Sequence, residues 1–234
     1  MGFEIKRGGN FTLCPAGSFV ARCYMVVDMG MQPVVYMGKK SNPRQKIRIG
    51  FEFPDQLHVF DEKKGEEPFT LSRSFTNSLN EKASLRPVLN SWRGRPLTDE
   101  DIAGGVIDAK TKKPKPPFTF KTLLGVPAFI TVIHETRKTD NSKIAKISNI
   151  AKLPAKIGGV DLVCPPAVLP PILYSVDEGP DSPTFKRLPT WIQEECRQCL
   201  EWNEAPEDEG QQVASRGGDD GSDDGGPPDS DTPF

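Results

Sequence analysis

Residues 45–53 constrain the fold of this chain more than any other stretch. Ile47, Ile49, Phe51 and Phe53 occupy alternate positions, and Lys46, Arg48, Gly50 and Glu52 stand between them. Successive side chains of a β-strand point to opposite faces, so a period of two sorts these residues into an apolar face and a polar one. The stretch predicts a strand with one face in a core. Its other face, from Arg44 through Lys46 and Arg48, is expected to be a solvent-facing stripe of cations.

Two neighbouring stretches supply companions. In 18–27, Phe19, Ala21, Cys23 and Met25 alternate with Val20, Arg22, Tyr24 and Val26, which predicts a strand buried on both faces. In 69–76, Phe69, Leu71, Arg73 and Phe75 share one side of a third strand, and 61–68 reads as a charged hairpin connection. Gly30, Gly38, Asn42 and Pro43 mark a loop that carries Lys39 and Lys40.

A helical region follows. Ser78 and Glu81 fit a capping box, and Leu85, Val88, Leu89 and Trp92 recur at i, i+3, i+4 and i+7. Pro87 is expected to kink this helix or restart it, and Gly94 to end it. Thr98 can cap a short turn through Ile102. Residues 108–117 form a Lys/Pro loop with Lys110, Lys112, Lys113 and Lys115. One helical turn is expected at 120–124, stopped by Gly125. Strands at 128–134 and 144–153 follow, joined by the polar turn 139–142. Residues 154–183 are rich in proline, and a last helix is expected at 189–200 with Pro189 in its first turn.

Strand, strand, strand, helix, strand, strand is the order of an OB-fold, a five-stranded Greek-key barrel with its helix between strands three and four. The expected fold is therefore mainly β: an OB-fold over 1–203 with helical insertions and a C-terminal helix. In that fold strands two and three and their flanking loops form the ligand surface, where this sequence has its cationic stripe.

Residues 204–234 obey a different rule. They hold ten acids and one base, a net charge of −9, whereas the other 203 residues hold 29 bases against 22 acids, a net of +7. Asp, Gly, Ser and Pro offer little apolar surface to repay ordering entropy, so an acidic disordered tail is expected. It ends Asp229-Ser230-Asp231-Thr232-Pro233-Phe234, an acidic tether with an aromatic tip. This tip resembles the C-terminal tip of bacterial single-stranded-DNA-binding proteins. Asp229, Asp231, Pro233 and Phe234 match that pattern, and Thr232 stands where Ile is usual. The resemblance implies that these four residues recruit partner proteins, and a basic body implies a polyanionic ligand that the tail can compete with.

Binding a single strand without reading its sequence needs cations for phosphates and aromatic faces for bases. The candidates are Lys46, Arg48, Arg73 and Phe75 on strands two and three, and Trp92, Arg93 and Arg95 at the helix end. Lys112, Lys113 and Lys115 on the loop and Lys143 and Lys146 on strand five complete the set. For Phe75 and Trp92 a core position competes with a stacking role.

The segment Ser78-Leu79-Asn80-Glu81-Lys82-Ala83-Ser84-Leu85-Arg86, followed by Leu89, Ser91, Trp92, Arg93, Gly94 and Arg95, resembles a family of phage early proteins that bind single-stranded DNA or assist replication. Leu123-Leu124-Gly125, Ser148-Asn149-Ile150 and Leu188-Pro189-Thr190-Trp191-Ile192 extend the resemblance over about residues 13–202. It implies a phage origin and the cytoplasm of an infected bacterial host; no binding residues carry over from it.

His58 and His134 belong to no metal or triad pattern, Cys196 and Cys199 lack a second pair for zinc, and no phosphate loop is present. The chain is expected to be no enzyme and to need no cofactor or metal. Five scattered cysteines suit a reducing compartment, the N-terminus lacks the apolar core of a signal peptide, and no apolar run reaches membrane length. The expected function is sequence-tolerant single-stranded-DNA binding, with phage or host replication and recombination proteins recruited by the tip. The alternative is a non-enzymatic adaptor or virion component that uses the barrel for protein contacts. Self-association is left open.

Overall fold

The period-two stretch lies inside one of two very long strands. A computed structural model describes residues 12–36, 38–80, 83–105, 107, 111–137 and 139–203. β1 runs Gly17–Tyr36 and β2 runs Lys39–Asp61, with β3 at Gly65–Thr76, β4 at Pro127–Thr136 and β5 at Lys143–Ala151. Between β3 and β4 lie α1 (Leu85–Arg93), α2 (Asp99–Ala103) and a 3-10 turn at Phe120–Leu123. After β5 come a two-residue hairpin, β6 (Lys156–Ile157) and β7 (Val160–Asp161), then β8 (Ile172–Ser175), α3 (Pro183–Lys186), α4 (Thr190–Cys196) and α5 (Leu200–Asn203).

The main sheet has the order β3-β2-β1-β4-β5, antiparallel throughout, and β3 packs beside β5 to bring the sheet nearly into a closed barrel. This is the OB-fold. β1 makes the closure possible. It pairs with β4 over Gly17–Arg22 and with β2 from Arg22 to Tyr36, and its register with β2 shifts at Cys23/Met25, Asp28/Met31 and Gln32/Val34. Such shifts bend a strand and increase its twist, so one strand can serve both sides of the barrel.

The predicted apolar face of β2 fills the barrel. Ile47, Ile49, Phe51 and Phe53 are buried with Ala21, Cys23, Ile130, Val132 and Ile147. α1 contributes Leu85, Leu89 and Trp92 to the same core; the Trp92 ring meets Phe51 at 5.1 Å between centroids, and its Nε1 donates to the Pro127 carbonyl at 2.8 Å.

Several expectations change. The loop predicted around Lys39 and Lys40 is the tip of the β1–β2 hairpin, because pairing continues out to Tyr36 and Lys39. The Ser78/Glu81 box does not start α1: that helix begins at Leu85 behind Ser84, which makes no side-chain cap, while the Ser78 hydroxyl accepts from the Asn80 amide. Glu81 lies outside the described residues. Pro87 becomes the third helical residue, where the absent N–H has no intrahelical carbonyl to reach, so it costs the helix little. Pro189 precedes the first turn of α4 as its cap residue, and the expected last helix is split into α4 and α5.

The proline-rich stretch holds the largest surprise. β8 pairs in parallel with β1 over Met25–Asp28 as a sixth strand. With α3, α4 and α5 it builds a second core on the outside of the barrel: Met25, Val27 and Met29 of β1 pack with Ile172, Tyr174, Val176, Phe185, Leu188, Ile192, Cys196 and Cys199. Gly50 on β2 leaves room for its β1 partner Met25, whose side chain belongs to this second core, since a Cβ there would stand 2.7 Å from Met25 Cε and 3.1 Å from Met25 Cβ.

Candidate nucleic-acid interface

The outer face of β2 was expected to point its cations at solvent. Arg48 instead is only 2% exposed. Its guanidinium forms a 2.7 Å ion pair with Glu195 of α4, donates to the Ser72 hydroxyl at 3.2 Å, and stands 4.5 Å from the Trp191 ring centroid. Glu52, another charge in this row, is completely buried and accepts hydrogen bonds from the backbone amides of Val168 and Leu169. The physical reason is plain. The C-terminal layer covers this face, and charges left beneath it must find partners, because unpaired burial is costly. Arg48 and Glu52 hold residues 163–203 against the barrel.

Phe75 is fully buried in the barrel core, and Trp92 is buried beside Phe51; neither offers an open face for stacking. Phe75 shares the face of β3 that turns inward with Phe69, which decides the competition between core and platform in favour of the core. Arg93 and Arg95 converge on Asp101, at 3.2 and 2.7 Å. The Asp101 carboxylate also completes a capping box with Thr98 at the start of α2. Hydrogen bonds from Arg95 and then Arg93 hold its carboxyl well below the usual carboxylate range. These two arginines secure a short helix and are not set out as a phosphate clamp.

The other candidates remain on the surface. Arg73 is partly exposed on β3 with its guanidinium 5.1 Å from the Phe75 ring centroid. Lys143 is exposed at the start of β5, and Lys146 is half-buried with its ammonium 3.0 Å from Glu135. Lys46 is half-buried on β2 opposite Thr76 of β3. β3 and β5 flank the seam of the barrel, so Arg73 and the two β5 lysines come from the strands on its two sides. Lys112, Lys113 and Lys115 are exposed on the loop between α2 and the 3-10 turn; its root is tied to α2 by Gly105 donating to Lys115 and Phe118 donating to Asp101. The tip residues Asp229, Asp231, Pro233 and Phe234 lie outside the described residues.

Sequence reasoning missed a concavity. A cleft of about 350 Å³ opens where β3 meets the C-terminal layer and the seam. Thr70 and Ser72 of β3 line it, with Tyr24 of β1, Trp191 and Ile192 of α4, and Ala145 of β5. In the sequence Trp191 stands out only within the Leu188–Ile192 stretch of the family resemblance, because nothing local shows that its ring rests on Arg48 from a distant strand.

The cysteines behave as small apolar residues. Cys14, Cys23, Cys196 and Cys199 are buried, and burial pushes the thiols of Cys14, Cys23 and Cys196 up to about 12. Among the described residues no group of three or more His, Cys, Asp or Glu side chains is arranged to hold a metal ion, and no helix is long and apolar enough to cross a membrane. Compared with known proteins, the chain matches no protein-family model and no curated sequence.

Proposed function

We propose that this protein binds single-stranded DNA without strong sequence preference and organises it during phage replication or recombination. The observation that carries the reading is an OB barrel whose seam is flanked by cations, Arg73 on β3 and Lys143 and Lys146 on β5. The net charge of +7 outside residues 204–234 supplies the long-range attraction for a polyanion. The acidic segment with Pro233 and Phe234 at its tip recruits replication or recombination proteins, in the cytoplasm of the infected host, and competes with DNA for the basic body.

Fluorescence anisotropy of labelled oligo-dT, titrated at several salt concentrations beside matched duplex and RNA, tests this. Tight binding to the single strand is expected, with log K falling against log salt by about 0.7 for each phosphate neutralised. Lys143→Gln should lower that slope by about 0.7. Absence of binding at low salt, with and without the tail, overturns the reading.

One observation favours a second reading, a protein-interaction module. The β2–β3 hairpin displays Leu57, Val59 and Phe60, each more than two-fifths exposed, on an arm that projects beyond the core. If the barrel serves protein partners, Lys143→Gln leaves oligo-dT affinity unchanged, and Phe60→Ser abolishes partner capture.

A further inference from the structure

The cleft beside α4 has a composition that points to a definite occupant. Its walls are apolar and aromatic, with Tyr24, Phe60 and Trp191 contributing rings. Its polar side chains are the hydroxyls of Thr12, Tyr24, Thr70 and Ser72, with Tyr24 hydrogen-bonded to Thr70, and the Glu67 carboxylate. No Lys or Arg lines it. A phosphate would find no counter-charge inside, whereas a flat heteroaromatic group would find a stacking surface and hydrogen-bonding partners at its edge. Arg73 and Lys146 each directly follow a lining residue, Ser72 and Ala145, so their side chains leave the opposite face of their strands, Arg73 toward Phe75 and Lys146 toward Glu135.

Trp191 is the natural platform. It is partly exposed on α4, and the buried Arg48 guanidinium 4.5 Å from its ring centroid fixes the indole in place. Arg48 is itself held by Glu195 and Ser72, so the ring sits on a preorganised support from three elements.

We propose that this cleft is a nucleobase-binding site in which Trp191 stacks an unpaired base. The proposal rests on the single-strand reading and deepens it. The outer face of β2 is closed by the C-terminal layer, and the layer replaces it with a site at its own margin. Base specificity is expected to be slight, because stacking accepts any base and the polar rim is small.

The test uses the full chain and two probes of equal length, oligo-dT and an oligomer of abasic sites. Trp191→Ala should weaken oligo-dT binding by about fivefold to a hundredfold, the range of one base–aromatic stack, and leave abasic binding unchanged. Trp191→Phe should retain most of the affinity. Thr70→Phe, at an exposed position on the rim, fills the cleft without removing the Arg48 support, and should produce the same selective loss if Trp191→Ala unfolds. Wild-type affinity for oligo-dT in folded Trp191→Ala and Thr70→Phe overturns the site and leaves the single-strand reading standing. Equal losses on both probes also overturn it, because a stacking site cannot act on a strand without bases. Failure of the wild-type protein to bind either probe removes the single-strand reading and this site together.

Discussion

Arg48 and Phe75 show how one residue's role turns on what covers it. Both were legible as members of alternating patterns, and both patterns are real. Alternation reports which side of a strand a residue takes; it does not report whether that side meets water or another layer. The buried thiols make the same point in a form that can be measured. The Cys14, Cys23 and Cys196 thiols are raised by burial to about 12 from an ordinary value near 9. Between those limits the unfolded chain gives up protons that the folded chain retains, so stability is intact below about pH 9 and falls as pH rises toward 12. Each thiol can withdraw up to about 1.4 kcal/mol per pH unit in that window. Urea melts at pH 7, 9 and 10.5 should show a midpoint that is flat and then declines, and replacing Cys23 with Ala should reduce the decline. A midpoint independent of pH through 10.5 would show that the thiols are exposed in solution.

At the scale of an element, capping was only half visible. Thr98 reads as the cap of a short turn through Ile102, and the structure builds a capping box there with Asp101, with Arg93 and Arg95 drawn onto the same carboxylate. Ser78 with Glu81 has an equally good spacing, yet α1 begins at Leu85. The start of α1 is set by Leu85 and Leu89 reaching the barrel core, since packing of an apolar face outweighs a cap for so short a helix. Thr98→Ala should cost about 1 kcal/mol, read as a small drop in denaturation midpoint, because the hydroxyl accepts the Asp101 amide. Ser78→Ala should be close to neutral, and an equal loss at both positions would contradict the assignment of the helix starts.

At the scale of the whole molecule, the barrel and the C-terminal layer stand or fall together. Met25, Val27 and Met29 face the layer, and without it Arg48 loses Glu195 and Glu52 loses the Val168 and Leu169 amides. A chain ending at residue 162 should therefore melt without cooperativity or aggregate, since each exposed core side chain forfeits about 1.5–3 kcal/mol. A chain ending at Asn203 keeps every contact described and should melt with the full-length protein. Equal stability of the 162-residue chain would show that the layer is a detachable flap.

Local pattern was enough to identify the five barrel strands, their order, the apolar face of β2 and the divided charge of the chain, because each depends on residues close together in sequence. The closure of β2's outer face, the sixth strand, and the support of Trp191 by Arg48 joined positions more than a hundred residues apart. Nothing in 154–203 announces that it will lie on 25–29 and 48–52. That contact came from two apolar surfaces, one on β1 and one on the C-terminal helices, each too small to form a core alone and stable only when placed together.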